Sequence, residues 1–286
     1  MSGSRRRKSS ASRGRQRRES DRAPHRASDL RGDRGRKPLP RHAGSHIWLY
    51  GNHAVAAALE NPLRTIHRLV HTGDPIEASP CTPVQSERID REEMEALLPP
   101  GAVHQGHAAL VAPLPIVAIE DLIAEAGTSA NALIVVLDQV NDPQNIGAIL
   151  RSAAVFGALG VIVQDRHAPE VTGSMAKAAS GAVERVPLVR VTNIVRSLET
   201  LKDAGFWTTG LDSETDISIE QTQANNRNIL VLGAEGPGLR RLTRDACDLL
   251  VRIGERQTGE RLLNSLNVSN AAAVALYALS SRQPKT

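Results

Sequence analysis

Apolar residues in this chain gather in short, unbroken runs. Between 133 and 253 these are LIVVLD, LGVIVQ, VPLVRV, FWTTGL, ILVLG and LLVRI. They are short for helices and lack polar alternation, which predicts strands covered on both faces. Between them lie stretches with helical spacing, IGAILRSAAVFGA and NIVRSLETLKDAG, and the chain closes on SNAAAVALYALSSR. Strands alternating with helices predict an α/β domain over 132–286, a six-stranded parallel sheet with helices on both faces.

Upstream the texture is shorter-ranged. IWLYGNHAVAAALENP predicts a strand, a Gly-Asn turn and an Ala-rich helix stopped by Pro62; IHRLVHTG and HAALVAPL predict two more strands. The stretch from 74 to 100, rich in Pro, Glu and Arg, predicts a loop and a short helix. Together these make a small α/β module over 46–113, joined by a Pro- and acid-containing linker over 114–131. Residues 1–45 hold four Ala, two Leu and the initiating Met as their apolar content, too little for a core, and predict a disordered tail.

Charge is unevenly spread. The 286 residues carry a formal net charge of +4, but residues 1–45 hold 15 Lys and Arg against 4 Asp and Glu, a balance of +11. The other 241 residues hold 20 against 27, a balance of −7. The folded part is thus mildly acidic, which excludes a basic domain that coats nucleic acid with its whole surface. The tail has three readings: a solubilising segment, a polyanion-binding arm working by counterion release, or an organellar presequence that lacks an amphipathic face.

Two cysteines, Cys81 and Cys247, stand far apart and in no paired motif. That argues against a disulfide framework or a Cys-based zinc site and fits a reducing compartment. No apolar run approaches the ~20 residues of a membrane span. The aromatic residues are Trp48, Tyr50, Phe156, Phe206, Trp207 and Tyr277, a poor supply for a base-stacking platform. His104 and His107 lack companion ligands and read as loop surface.

In an open parallel sheet, ligands bind beyond the carboxyl ends of the strands. Three segments carry unusual residues there. In LDQVNDPQNIGAILRSA, Asp142 and Pro143 predict a helix N-cap and first position, with Asn145 and Gly147 in the opening turn, where a ligand could approach the backbone, and Arg151 a turn after Gly147. In ILVLGAEGPGLRRLTRD, Glu235 stands among glycines that match neither a Walker loop nor a dinucleotide fingerprint. In LLNSLNVSNAAAVALY, Ser265, Asn267, Ser269 and Asn270 crowd a helix entrance beyond the needs of capping, ahead of a small-residue helix suited to close packing.

NDPQNIGAILRSA, LVLGAEGPGLRRLT and SLNVSNAAAVALY closely resemble the three motifs of the SpoU/TrmH family of RNA ribose 2′-O-methyltransferases, within the SPOUT superfamily. YGNHAVAAALE and GAVHQGHAALVAP look like that family's substrate-binding domain, and the nearest subgroup is the RlmB-like enzymes of large-subunit (23S) ribosomal RNA. The resemblance implies a C-terminal trefoil knot, which periodicity alone does not suggest and chain statistics oppose. It implies a homodimer through the catalytic domain, S-adenosyl-L-methionine as cofactor and no metal. By position it implies catalytic roles for Asn145, Arg151, Glu235, Ser265 and Asn267, and cofactor contacts from Gly233, Ile253 and Leu266. One departure stands out: the family's Ile-Pro-Met turn is here Ile253 followed by GERQTGERLLN, about four residues longer than usual.

The function so implied is methylation of a ribose 2′-hydroxyl, on a guanosine of 23S ribosomal RNA, in the cytoplasm. A tRNA guanosine 2′-O-methyltransferase and a non-catalytic RNA-binding or ribosome-assembly factor on the same fold are the alternatives. A nucleotide-dependent dehydrogenase would suit the sheet, but the dinucleotide fingerprint is missing.

Overall fold

A computed structural model describes residues 46–76, 84–129, 131–166, 168–223, 225–254 and 266–281. The basic tail, Cys81, Ser265 and the 255–265 segment, on which the expected knot turns, lie outside the described residues.

The N-terminal module is a four-stranded sheet of β1 (Ile47–Tyr50), β2 (Ile66–His71), β3 (Ser86–Arg88) and β4 (His107–Val111), in the order β1-β4-β2-β3. β4 pairs antiparallel with both neighbours, while β2 and β3 run parallel. The three-residue β3 was not foreseen, because Ser-Glu-Arg offers no apolar signal. Helix α1 (Asn52–Glu60) follows β1, and α2 (Arg91–Leu97) is capped by Asp90, whose carboxylate accepts the Glu93 N–H at 2.8 Å. Alternate side chains bury on opposite faces of this sheet. Tyr50, Val70 and Ala108 pack with Met94 of α2, while Leu49, Leu69 and Ala109 join a cluster that includes Val55 and Leu59 of α1.

The second sheet is six-stranded and wholly parallel: β5 (Ala132–Asp138), β6 (Gly160–Gln164), β7 (Leu188–Val191), β8 (Trp207–Leu211), β9 (Arg227–Gly233) and β10 (Leu249–Val251), in the order β10-β8-β9-β5-β6-β7. All six expected strands are present. Alternation along β5 explains how one apolar run serves two faces. Leu133, Val135 and Leu137 bury against α4 (Pro143–Val155) and α8 (Val268–Ser281). Ile134 and Val136 bury against α6 (Ile194–Asp203) and against α3 (Ile119–Gly127). The presence of α3 changes the picture of 114–131. Read as a linker, it contains a helix whose Leu122 and Ala126 are core residues of the sheet's second face.

The two sheets are joined by more than chain connectivity. The cluster holding Leu49, Val55 and Leu59 continues through Met175 and Ala179 of α5 (Gly173–Ala179) to Ile146 and Leu150 of α4. Beside it, Arg64 donates from Nε (3.0 and 3.1 Å) and Nη2 (2.6 Å) to both carboxylate oxygens of Glu184, and from Nη1 to the Ala112 carbonyl at 2.6 Å. Asn61 Nδ2 adds a 2.8 Å bond to the same carboxylate, and both charged side chains are almost wholly buried.

Candidate active site

The three candidate segments converge at the carboxyl ends of β5 and β9. Asp142 caps α4 as expected, accepting the Gln144 N–H at 3.1 Å, with Pro143 as the first helical residue. This places Asn145 in the opening turn. The loop after β9 turns back at once: Ala234 and Gly238 exchange backbone hydrogen bonds of 3.2 and 3.0 Å. Glu235 sits at its tip.

Glu235 is the hub. Its Oε1 accepts from Asn267 Nδ2 at 2.6 Å, from the Val268 N–H at 3.2 Å and from Asn145 Nδ2 at 3.4 Å. Asn267 Nδ2 also donates to Asn145 Oδ1 at 3.1 Å. The crowd of polar residues at the head of α8 now has a reason. Asn267 Oδ1 caps the helix, accepting from the N–H groups of Ser269 (2.9 Å) and Asn270 (3.4 Å) and from the Ser269 hydroxyl (2.5 Å). With its oxygen committed to the helix, its amide nitrogen must face Glu235 and Asn145. Charge-assisted hydrogen bonds of this kind are about twice as strong as neutral ones.

The other candidates are placed differently. Arg151 is exposed on α4, with no hydrogen-bond or ion-pair partner among the described residues. Gly147 does not offer backbone to a ligand: a Cβ there would fall 2.4 Å from the Met175 carbonyl and 2.8 Å from Ala178 Cβ, so its bare face admits α5. Gly233 is similar, since a Cβ would lie 2.1 Å from the carbonyl carbon of Gly238; the glycine makes room for its own loop's return leg. Ile253 is half-buried against the core beyond β10, and Leu266 is 51% exposed just ahead of α8. His104 and His107 share no ligand geometry: His104 Nδ1 accepts from the Gly106 N–H, and His107 bonds Asn52 Oδ1 and the Asp74 carbonyl. No cluster of acidic, His and Cys side chains fit for a metal occurs among the described residues, and no described helix is long and apolar enough to cross a membrane.

Two features escaped the sequence reading. Asp138, at the end of β5, is fully buried and bonded to Arg240; an acid closing an otherwise apolar seven-residue strand was the available signal. Arg252 has its Nε and Nη1 buried without partners among the described residues, directly before Ile253. Buried unpaired donors are rare, and charged ones suit an acceptor oxygen such as that of a carboxylate or phosphate.

The sequence model of the SpoU rRNA Methylase family matches residues 132–277. A 23S rRNA (guanosine-2'-O-)-methyltransferase RlmB of Pseudomonas syringae pv. tomato is 38% identical over 249 residues, covering 83% of this chain and 96% of that protein. An uncharacterized tRNA/rRNA methyltransferase of Synechocystis is 36% identical over 239 residues, which span 80% of this chain and 61% of that longer protein. Among solved structures, the SpoU methyltransferase AviRb from Streptomyces viridochromogenes in complex with the cofactor AdoMet superposes with a TM-score of 0.65 at 24% identity, over 83% of this chain and 90% of that one. At that identity the likeness speaks for the fold.

Proposed function

The chain belongs to the SpoU rRNA methylase family, and from that premise we propose that it methylates a ribose 2′-hydroxyl of a guanosine in 23S ribosomal RNA with S-adenosylmethionine, in the cytoplasm. The observation that carries this reading is the meeting of three motifs, from 145, 235 and 267, on one carboxylate oxygen.

The residues fit the cofactor. The buried Arg252 Nε and Nη1, unpartnered among the described residues, suit acceptor oxygens such as those of its carboxylate, and Ile253 and Leu266 offer apolar surface for its adenine. When bound, the cofactor supplies a sulfonium-linked methyl group open to in-line attack by an oxygen. This chain's own part is to hold that oxygen. Asn145 and Asn267, locked to each other and to Glu235, orient the 2′-hydroxyl, and orientation alone is worth several kcal/mol of barrier, up to about 7–11 for well-aligned reactants. Glu235 Oε1 accepts hydrogen bonds from Asn145 and from Asn267 and Val268, which makes Glu235 an organiser of the loops. Arg151 stays protonated at any working pH; unpaired and exposed, it anchors the neighbouring phosphate and stabilises charge developing on the ribose oxygen. Ser265 completes the third motif. The module over 46–113 presents the RNA.

The protein acts as a homodimer through α4 and α8. Val155 and Tyr277 are 73% and 63% exposed on these two packed helices, and Val274 stands exposed beside them. Tyr277 already meets Phe156 edge-on, ring centroids 6.2 Å apart. Such a patch marks an interface, and sedimentation of Tyr277→Arg tests it: a species that stays dimeric overturns this surface.

The reaction is tested by incubating the protein with labelled S-adenosylmethionine and unmodified ribosomal RNA, wild type against Arg151→Ala. Incorporation by the wild type and its loss in the variant is the expected result. Equal incorporation by both would overturn the role of Arg151, and none by either would overturn the enzyme.

A further inference from the structure

We propose that Asp138 is a positioning residue for the Glu235 bridge, acting through Arg240; this rests on the catalytic reading of that bridge. A fully buried carboxylate is costly unless its oxygens are satisfied. Those of Asp138 are satisfied by one residue. Oδ2 accepts the Arg240 backbone N–H at 3.0 Å, while Oδ1 takes Nε at 2.7 Å and Nη2 at 2.6 Å. Asp138 therefore grips Arg240 by main chain and side chain together.

The consequence lies in what separates the two residues. Asp138 pairs in register with Gly233, where the loop carrying Glu235 departs from β9. That loop folds on itself through Ala234 and Gly238, and its return leg arrives at Arg240, directly over the end of β5. One leg of the loop is thus tied by the sheet and the other by Asp138, with Glu235 at the tip between them. From that tip Glu235 reaches to Asn145, Asn267 and Val268, which lie on other segments. If the grip slackens, the tip moves and the two asparagines lose their common anchor.

Arg240 keeps 38% of its side chain exposed, so it is no core plug. Nothing in Asp138 touches the reacting groups; its work is done two contacts away.

The test uses the full chain carrying Asp138→Asn, Arg240→Met or both. The first readout is hydrogen exchange at the Val268 amide, which depends on Glu235 and lies 130 residues from Asp138. Each single variant is expected to speed that exchange by about tenfold or more, with no further gain in the double variant, as for two residues acting as one unit. The second readout is a kinetic split: kcat falls by about tenfold or more while the KM for RNA and the affinity for S-adenosylmethionine stay within about twofold. Val268 exchange at the wild-type rate in both variants, or additive effects in the double, overturns the proposal. Should Asp138→Asn fail to fold, Arg240→Met, which keeps the backbone bond, tests the side-chain half of the grip, and Val268 exchange at the wild-type rate in it overturns the proposal. Exchange needs no turnover, so a wild type silent on ribosomal RNA would count against the reaction and leave the exchange result to judge Asp138.

Discussion

Glu235 accepts the side-chain amide of Asn267 at 2.6 Å, across 32 residues of sequence, and so joins the loop after β9 to the head of α8. This contact turns the third motif from a helix cap into part of a site.

Removing the Glu235 carboxylate strips acceptors from Asn267, Val268 and Asn145 at once. A hydrogen bond to a charged group contributes about 1.5–3 kcal/mol. Glu235→Ala is therefore expected to lower kcat/KM by about a hundredfold, and Glu235→Gln, which keeps an acceptor oxygen without the charge, by about tenfold. Steady-state methylation assays check the order. Equal losses in both variants would mean that charge alone matters.

The Arg64–Glu184 pair predicts a stability effect without a catalytic one. Its partners come from the N-terminal module and from the turn after α5, and both are almost fully buried. Truncating one partner strands the other charge, which costs about 3–5 kcal/mol. Thermal melts of Arg64→Ala should fall by about 10 °C, with Glu184→Ala close behind and the double variant less than additive. An unchanged melting point would show that water reaches this contact.

Strands were legible because the apolar runs in β5, β6 and β9 are continuous, and covering a parallel sheet on both faces demands that. β3 was not, since three polar residues carry no period. α3 was hidden by its charges: Ile119, Leu122, Ile123 and Ala126 do fall at helical spacing, but Glu120, Asp121 and Glu125 gave the stretch the look of a connector. Within the site, Asn145, Glu235 and Asn267 could be named from motifs, yet their joining could not, because sequence records no contact across 90 or 122 residues. Gly147 misled for a physical reason. A bare backbone serves a ligand and a packed helix equally well, and here α5 occupies it.

Cys247 follows α7 (Arg241–Asp245), its Sγ donating to the Thr243 carbonyl at 3.3 Å. Burial, reinforced by Asp248, Asp138 and Asp212 and opposed by Lys202, pushes the thiol up to about 12. The folded state thus holds this proton more tightly than the unfolded chain, where a thiol titrates near its ordinary value of about 8.5. The stabilisation is complete below that value and drains away as pH rises toward 12. Cys247→Ala should accordingly show a shallower loss of melting temperature between about pH 9 and 11 than the wild type. Iodoacetamide at pH 8 should leave Cys247 unlabelled in the folded protein, because the thiolate is the nucleophile. Parallel alkaline slopes for the two proteins would contradict the shift.

The charge division of the chain predicts where RNA affinity resides. The 241 residues after the tail balance at −7 and the tail at +11, so a protein that binds RNA must either gather local arginines, such as the exposed Arg151, or use the tail. Counterion release makes the two separable, since each phosphate contact adds about 0.7–0.9 to the slope of log affinity against log salt. Truncation to 46–286 is expected to weaken RNA binding and flatten that slope by several contacts' worth, while S-adenosylmethionine binding by calorimetry stays unchanged. An intact slope after truncation would assign the tail to solubility, and would require the acidic folded part to hold RNA through a few well-placed guanidinium groups alone.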